Sequence, residues 1–264
     1  MIKTDLLQFK NSRGKILRGI FLHKEDNKNL VVMVSGFERK TTTEKKFKAL
    51  SDGLVGRGVD SFRFDYEGLG LSDGDFFKFS LKRLEEDLLD ALAEIKSKKN
   101  YQSISLVVHS ISGCLAPLTQ EKNKFTKMVL FGPALNQRDL LRYYFVKNKM
   151  KKEDSDIKIT WDNFRDYLDE EKFKEDIQRE DKVAKENYIS SDYFKENMNK
   201  DYSKNLKNTD NVLLIHGSND DKVPLESLNI DFSRKIIVKK GDHDLERPDM
   251  MVQWMDRAVE FLSS

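Results

Sequence analysis

Residues 103–116 read Ser-Ile-Ser-Leu-Val-Val-His-Ser-Ile-Ser-Gly-Cys-Leu-Ala, an apolar β-branched run that stops abruptly in small and polar residues and then turns helix-compatible. The pattern predicts strand, tight turn, helix. A serine on such a turn holds its hydroxyl above the carboxyl edge of a sheet, and the following helix aims its N-terminal N–H groups at the same space. Ser110 occupies the turn. Val108 and Ser112 stand two residues to either side, where glycines are usual, so the stretch does not decide the matter alone. A helix N-cap is the plain alternative for Ser110, and Ser112, flanked by the small Ser110 and Cys114, is a second candidate for the exposed hydroxyl.

Three further pieces give the stretch its context. Asp220 lies in His216-Gly217-Ser218-Asn219-Asp220-Asp221-Lys222-Val223-Pro224, and His243 in Lys240-Gly241-Asp242-His243-Asp244-Leu245, so the chain order is Ser, Asp, His. Upstream, Val31-Val32-Met33-Val34-Ser35-Gly36-Phe37 has the form of a strand and a His-Gly-Phe loop with Ser35 in the histidine's place. Arg63-Phe64-Asp65-Tyr66-Glu67-Gly68-Leu69-Gly70-Leu71-Ser72-Asp73-Gly74 is similar to an Asp-x-x-Gly-x-Gly-x-Ser loop. Over nearly its whole length the chain resembles the α/β-hydrolase superfamily, and within it the small bacterial esterases of the feruloyl/cinnamoyl-esterase and acylglycerol-lipase type.

The resemblance implies an α/β fold with a mostly parallel sheet of about eight strands, helices on both faces and a helical cap. It makes Ser110 the nucleophile, His243 its base and Asp220 the acid that orients the base. His109 before the turn and Ser112-Gly113 after it favour Ser110 over Ser112, and the His-Gly-x-x-Asp-x-x-Val-Pro spacing selects Asp220 over Asp221 and Asp244. The oxyanion hole would be the backbone N–H groups of Phe37 and Ile111. His216, His109 and His23 are expected to be structural, as are Gly68, Gly70 and the Asp65 loop. Four scattered histidines without paired ligand spacing indicate no metal site, and no cofactor is implied.

Composition narrows the classes. Lys+Arg 47 against Asp+Glu 45 leaves a net charge of +2 with the signs interspersed, which argues against a nucleic-acid partner. The first residues hold no apolar core of signal-peptide length and no run approaches a membrane span, so a soluble, cytoplasmic protein is expected. The single cysteine, Cys114, excludes an internal disulfide and reads as a small buried hydrophobe.

Along the chain, residues 5–10 and 15–24 predict an edge hairpin, 30–34, 59–64 and 126–131 buried strands, and 41–58 a helix with Phe47, Leu50 and Leu54 inward. Leu81, Leu84, Leu88, Leu92 and Ile95 mark one face of a long helix with Ser80 as its N-cap. Strands at 211–215 and 235–239 and a final amphipathic helix complete the pattern. Residues 136–208 differ: glycine is absent, charge is dense, and aromatics are interleaved with Lys, Asp and Glu. The chain therefore divides into a core of residues 1–135 and 209–264 and a helical cap of 136–208. Most cap aromatics should anchor helices to the body, with Tyr143, Tyr144 and Phe145 the candidates for a substrate wall.

The expected activity is hydrolysis of carboxylic esters through an acyl-enzyme, with a small-molecule ester or thioester as substrate. A thioesterase or acyltransferase would use the same residues. A silent scaffold of the same fold stays open because of Val108, Ser112 and Ser35. Haloalkane dehalogenases and epoxide hydrolases carry aspartate at the turn, so Ser110 argues against both. Nothing in the sequence indicates an oligomeric state.

Overall fold

The runs 30–34, 106–108, 128–131 and 212–215 are apolar at every position, which requires cover on both sides and suits parallel pairing. The computed structural model describes residues 1–120, 122–179, 181–183 and 187–264. Its main sheet contains β1 (Ile2–Lys10), β2 (Ile16–Lys24), β3 (Asn29–Val34), β4 (Val59–Asp65), β5 (Ser103–His109) and β6 (Met128–Phe131), together with β9 (Val212–Gly217) and β10 (Arg234–Val238). The spatial order is β1-β2-β4-β3-β5-β6-β9-β10. β1–β2 and β2–β4 are antiparallel and the remaining pairs parallel.

Period-two alternation sorts the side chains between two cores. Val32, Val34, Leu106, Val108, Leu130 and Leu214 face α2 (Leu81–Lys98) and α3 (Leu115–Thr119). Val31, Met33, Val107, Val129, Phe131 and Ile215 face α1 (Lys45–Val55) and α7 (Pro248–Ser263), where Phe47, Leu50, Leu54 and Trp254 are buried. Ser80 caps α2 as its sequence predicts, its Oγ accepting from Arg83 N at 3.2 Å. The aligned carboxyl ends of β3, β5, β6 and β9 form the rim on which the loops of interest sit.

The structure departs from the sequence expectation in three places. Helix α1 begins at Lys45 and not at Thr41, because the threonines are committed elsewhere: Thr41 Oγ1 accepts from Ser35 N at 2.9 Å, and Thr42 donates through N and Oγ1 to Asp65. After Ser110 the chain makes a 3-10 turn to Cys114 before the short α3. Residues 136–208 are not wholly helical: besides α4 (Gln137–Lys152), α5 (Glu170–Gln178) and α6 (Ser191–Asn197) they hold an antiparallel pair, β7 (Asp181–Val183) and β8 (Tyr188–Ser190), between α5 and α6.

Tyr143, Val146, Ile159 and Phe164 form a small separate core, whereas Ile189, Tyr193, Tyr202 and Leu206 join the core on the α2 face of the sheet. A two-pronged Arg142–Glu170 pair, with contacts of 2.9 and 2.6 Å, joins α4 to α5. No helix among the described residues is long and apolar enough to cross a membrane.

Candidate active site

β5 ends at His109, and Ser110 takes a φ of +56°. That left-handed conformation costs a residue with a side chain about 1–3 kcal/mol and persists where the surroundings impose it. One imposing neighbour is Gly36: a Cβ there would stand 2.9 Å from Ser110 Cβ, so glycine lets the 35–37 loop approach. Ser110 is half-buried, and its Oγ makes no hydrogen bond among the described residues. Ser112 is fully buried and donates to Ser35 O, which commits its hydroxyl to holding that loop. Val108 points into the α2-side core.

The loop after β9 carries Asp220, whose carboxylate is held from several sides. Oδ1 accepts from Lys222 N at 3.0 Å and Val223 N at 2.8 Å, and Oδ2 accepts from His243 Nδ1 at 2.7 Å. Because the carboxylate only accepts, the proton of this bond is on His243 Nδ1, and Nε2 is the ring nitrogen turned away from Asp220. His216 donates from Nε2 to Val223 O at 2.8 Å, and burial holds its pKa below the usual imidazole range, so it braces the loop as a neutral ring. A Cβ on Gly132, just past β6, would lie 3.1 Å from Asp220 Oδ2 and 3.2 Å from His243 Nδ1. The pair therefore sits over the end of the strand that neighbours β5, and Ala134 N donates across the same boundary to Ser110 O at 2.9 Å.

Ser110, Asp220 and His243 thus occupy adjoining ends of one sheet. The competing acids point elsewhere: Asp221 is exposed and pairs with Lys147, and Asp244 pairs with Arg39 and Lys222. His23 is bonded to Asp5 in the edge hairpin.

The N–H groups of Phe37 and Ile111 donate no hydrogen bond among the described residues. Phe37 is fixed by its loop: Ser35 Oγ donates to Arg39 O at 2.5 Å, and Tyr66 donates to Gly36 O at 3.0 Å. Burial pushes the Tyr66 hydroxyl well above its ordinary pKa, so it keeps its proton for that bond. Ser35, where the resemblance would put histidine, closes the turn.

Against Phe37 stands an aromatic group that the sequence reading does not single out, with Phe76, Phe79 and Tyr193 at ring distances of 5.2, 5.3 and 5.8 Å. The nearest signal is the aromatic run Phe76-Phe77-Lys78-Phe79 directly after the glycine-rich loop. Tyr193 reaches the group from α6 and donates to Gln137 Oε1 at 2.7 Å.

Of the cap candidates, Tyr143 is buried against Trp161 and Phe164, and Phe145 packs against Phe173 at 5.6 Å. Tyr144 reaches the loop that carries Asp220, donating to Lys222 O at 2.7 Å. Cys114 is buried beside Ala134 O, and burial pushes its thiol far above the ordinary range. An open polar depression of about 540 Å³ lies elsewhere, lined by Arg13, Lys15, Glu67, Gly74, Asp75, Lys78 and Arg83. Arg13 and Arg83 are already paired there with Glu67.

The fold is that of an α/β hydrolase. The chain belongs to the serine aminopeptidase S33 family, which it matches over residues 25–240. No curated protein matches the sequence. Among solved structures it is similar to Est1E from Butyrivibrio proteoclasticus with ferulic acid bound, at 17% identity and a TM-score of 0.73 with 97% of each chain covered. It is also similar to a putative hydrolase from Agrobacterium vitis S4, at 20% identity and a TM-score of 0.67 with 99% of each chain covered. The Pyrococcus furiosus esterase Pf2001 follows at 15% identity and a TM-score of 0.66, covering 99% of this chain and 90% of that one.

Proposed function

We propose that this protein hydrolyses carboxylic esters through an acyl-enzyme formed on Ser110. His243 Nε2 takes the Ser110 proton as Oγ attacks the ester carbonyl, and Asp220 holds the imidazole in its Nδ1-protonated form and stabilises the charge it gains. The N–H groups of Phe37 and Ile111 receive the developing oxyanion. The tetrahedral intermediate collapses as His243 returns the proton to the leaving alcohol, and water then releases the acid by the same steps. The cap, residues 136–208, covers the site; Tyr144 lines it, while Tyr143 and Phe145 shape it by holding α4 in place.

One observation carries the reading: the buried 2.7 Å Asp220–His243 pair lies at the strand ends next to a serine in a left-handed turn. The aromatic group around Phe37 supports an apolar or aromatic acyl half. A thioester would pass through the same acyl-enzyme.

Fluorophosphonate labelling followed by mass spectrometry tests the nucleophile, with modification at Ser110 expected. A panel of p-nitrophenyl esters, acyl thioesters and aminoacyl p-nitroanilides tests the substrate class. Turnover confined to the anilides would replace the esterase reading with a peptidase. An unlabelled Ser110, with every substrate refused, would leave only a binding scaffold.

A further inference from the structure

Packed against the His243 loop is a buried set of charges that these steps do not use. Lys46, in the first turn of α1, is wholly buried. Its Nζ lies 3.2 Å from Glu44 Oε1 and 3.5 Å from Glu246 Oε1, and its backbone N donates to Glu246 Oε1 at 3.4 Å. Glu44 Oε1 also accepts from Arg39 Nε at 2.6 Å. Arg39 in turn reaches Asp244 Oδ1 at 3.6 Å and Glu246 Oε2 at 3.9 Å. Arg39 stands two residues past Phe37, and Asp244 and Glu246 stand one and three residues past His243.

His109 closes the set from the end of β5. Its ring packs on that of His243 with centroids 4.7 Å apart, and its Nε2 donates to His243 O at 2.9 Å. The carbonyl only accepts, so the proton is on Nε2, and Nδ1 is the nitrogen 4.0 Å from Glu44 Oε1. Burial first, and Lys46 second, hold His109 well below the usual imidazole pKa, so the ring is a neutral strut. A buried ammonium is costly unless it is paired, and helix starts have no need of one. Here the charges join three places that must keep a fixed spacing: the 35–41 loop, the Ser110 turn and the 241–246 loop.

We infer that Lys46, through Glu44 and Glu246, is a positioning residue that ties the oxyanion loop to the base loop. The inference rests on the roles proposed above for Phe37 and His243. Its geometry places the link at the start of α1, so that loosening one loop loosens the other.

The decisive variant is Lys46→Met, which keeps most of the stem and removes the charge. Kinetics on p-nitrophenyl esters should show kcat lowered roughly 10- to 100-fold, the order expected for a displacement of about 1 Å, with KM changed by less than about threefold. Hydrogen exchange followed by mass spectrometry should quicken in both 35–41 and 241–246 while α2 is unchanged. Glu246→Gln, at the more exposed end of the set, should move both readouts the same way by less, and it serves if Lys46→Met does not fold. A folded Lys46→Met protein with wild-type kcat, or quicker exchange confined to one of the two loops, would overturn the link. Exchange needs no substrate: joint loosening in a chain that turns over no ester and is not labelled at Ser110 would uphold the link and sink the hydrolase reading.

Discussion

Ser110 and Ser112 are two residues apart and chemically identical, yet their surroundings divide them. The first is half-buried in a strained turn, and the second is sealed in the interior on Ser35 O. Ser110→Ala should therefore lower kcat by roughly 10³-fold or more while leaving thermal stability nearly intact, because only oxyanion-hole and binding effects remain. Ser112→Ala should do the opposite, costing about 1–3 kcal/mol as a buried carbonyl loses its donor while most activity stays. Parallel ester kinetics and urea unfolding on the two variants separate these outcomes, and a reversed pattern would move the nucleophile to Ser112. Asp220→Asn is a third probe at this scale. An amide that donates to Nδ1 would favour the wrong histidine tautomer and cost about 10⁴-fold in kcat; a variant within tenfold of wild type would remove Asp220 from the mechanism.

Helix α4 is tied to the loop that carries Asp220. Tyr143 donates to Asp221 O at 3.2 Å, Tyr144 to Lys222 O at 2.7 Å, and Lys147 to Asp221 O at 3.0 Å, so one helix face grips the loop that carries Asp220. Just before β8, Asn187 donates from its backbone N to Glu38 beside Phe37. Tyr144→Phe, which keeps the ring and drops one hydrogen bond worth about 1 kcal/mol, should lower kcat a few-fold without altering the order of preference among esters of increasing chain length. Tyr144→Ala should change that order. Phe145→Ala should mainly destabilise, by about 1–3 kcal/mol, through its lost packing on Phe173. If Tyr143→Ala, Tyr144→Ala and Phe145→Ala all keep the wild-type order while folded, the acyl wall lies elsewhere. The strands, α2 and its Ser80 cap are legible in sequence because they follow from local alternation and spacing. The start of α1 is hidden because Thr41 and Thr42 bond to residues 6 and 23 positions away. The same distance hides the aromatic group of residues 37, 76, 79 and 193 and the charge set of residues 39, 44, 46 and 246: no window of the chain contains either. The motif residues Ser110, Asp220 and His243 stand out for the converse reason, since each carries its signature within a few neighbours.

At the scale of the whole molecule, two neutral histidines are sealed into the rim of the sheet, and this sets how stability responds to acid. His109 and His216 are fully buried and both have pKa values lowered from 6.5, chiefly by burial. In the unfolded chain each recovers an ordinary imidazole, so between the folded and unfolded values the unfolded state binds more protons and stability rises with pH. The contribution of each is therefore complete above about pH 6.5 and is lost as pH falls below it toward the folded value, with a slope approaching about 1.4 kcal/mol per pH unit per histidine. Asp87, whose carboxyl is raised by burial despite its bond to Asn11 and its contact with Arg13, works in the opposite sense. Urea midpoints measured at pH 7.5, 6.5 and 5.5 should fall steadily over the lower interval and hardly at all over the upper one. His109→Gln starts from a lower stability, because the His243 carbonyl it holds is disturbed, but should show a visibly shallower acid slope. A midpoint unchanged from pH 7.5 to 5.5, or a slope that survives intact in that variant, would mean that these rings take up their protons in the folded protein after all.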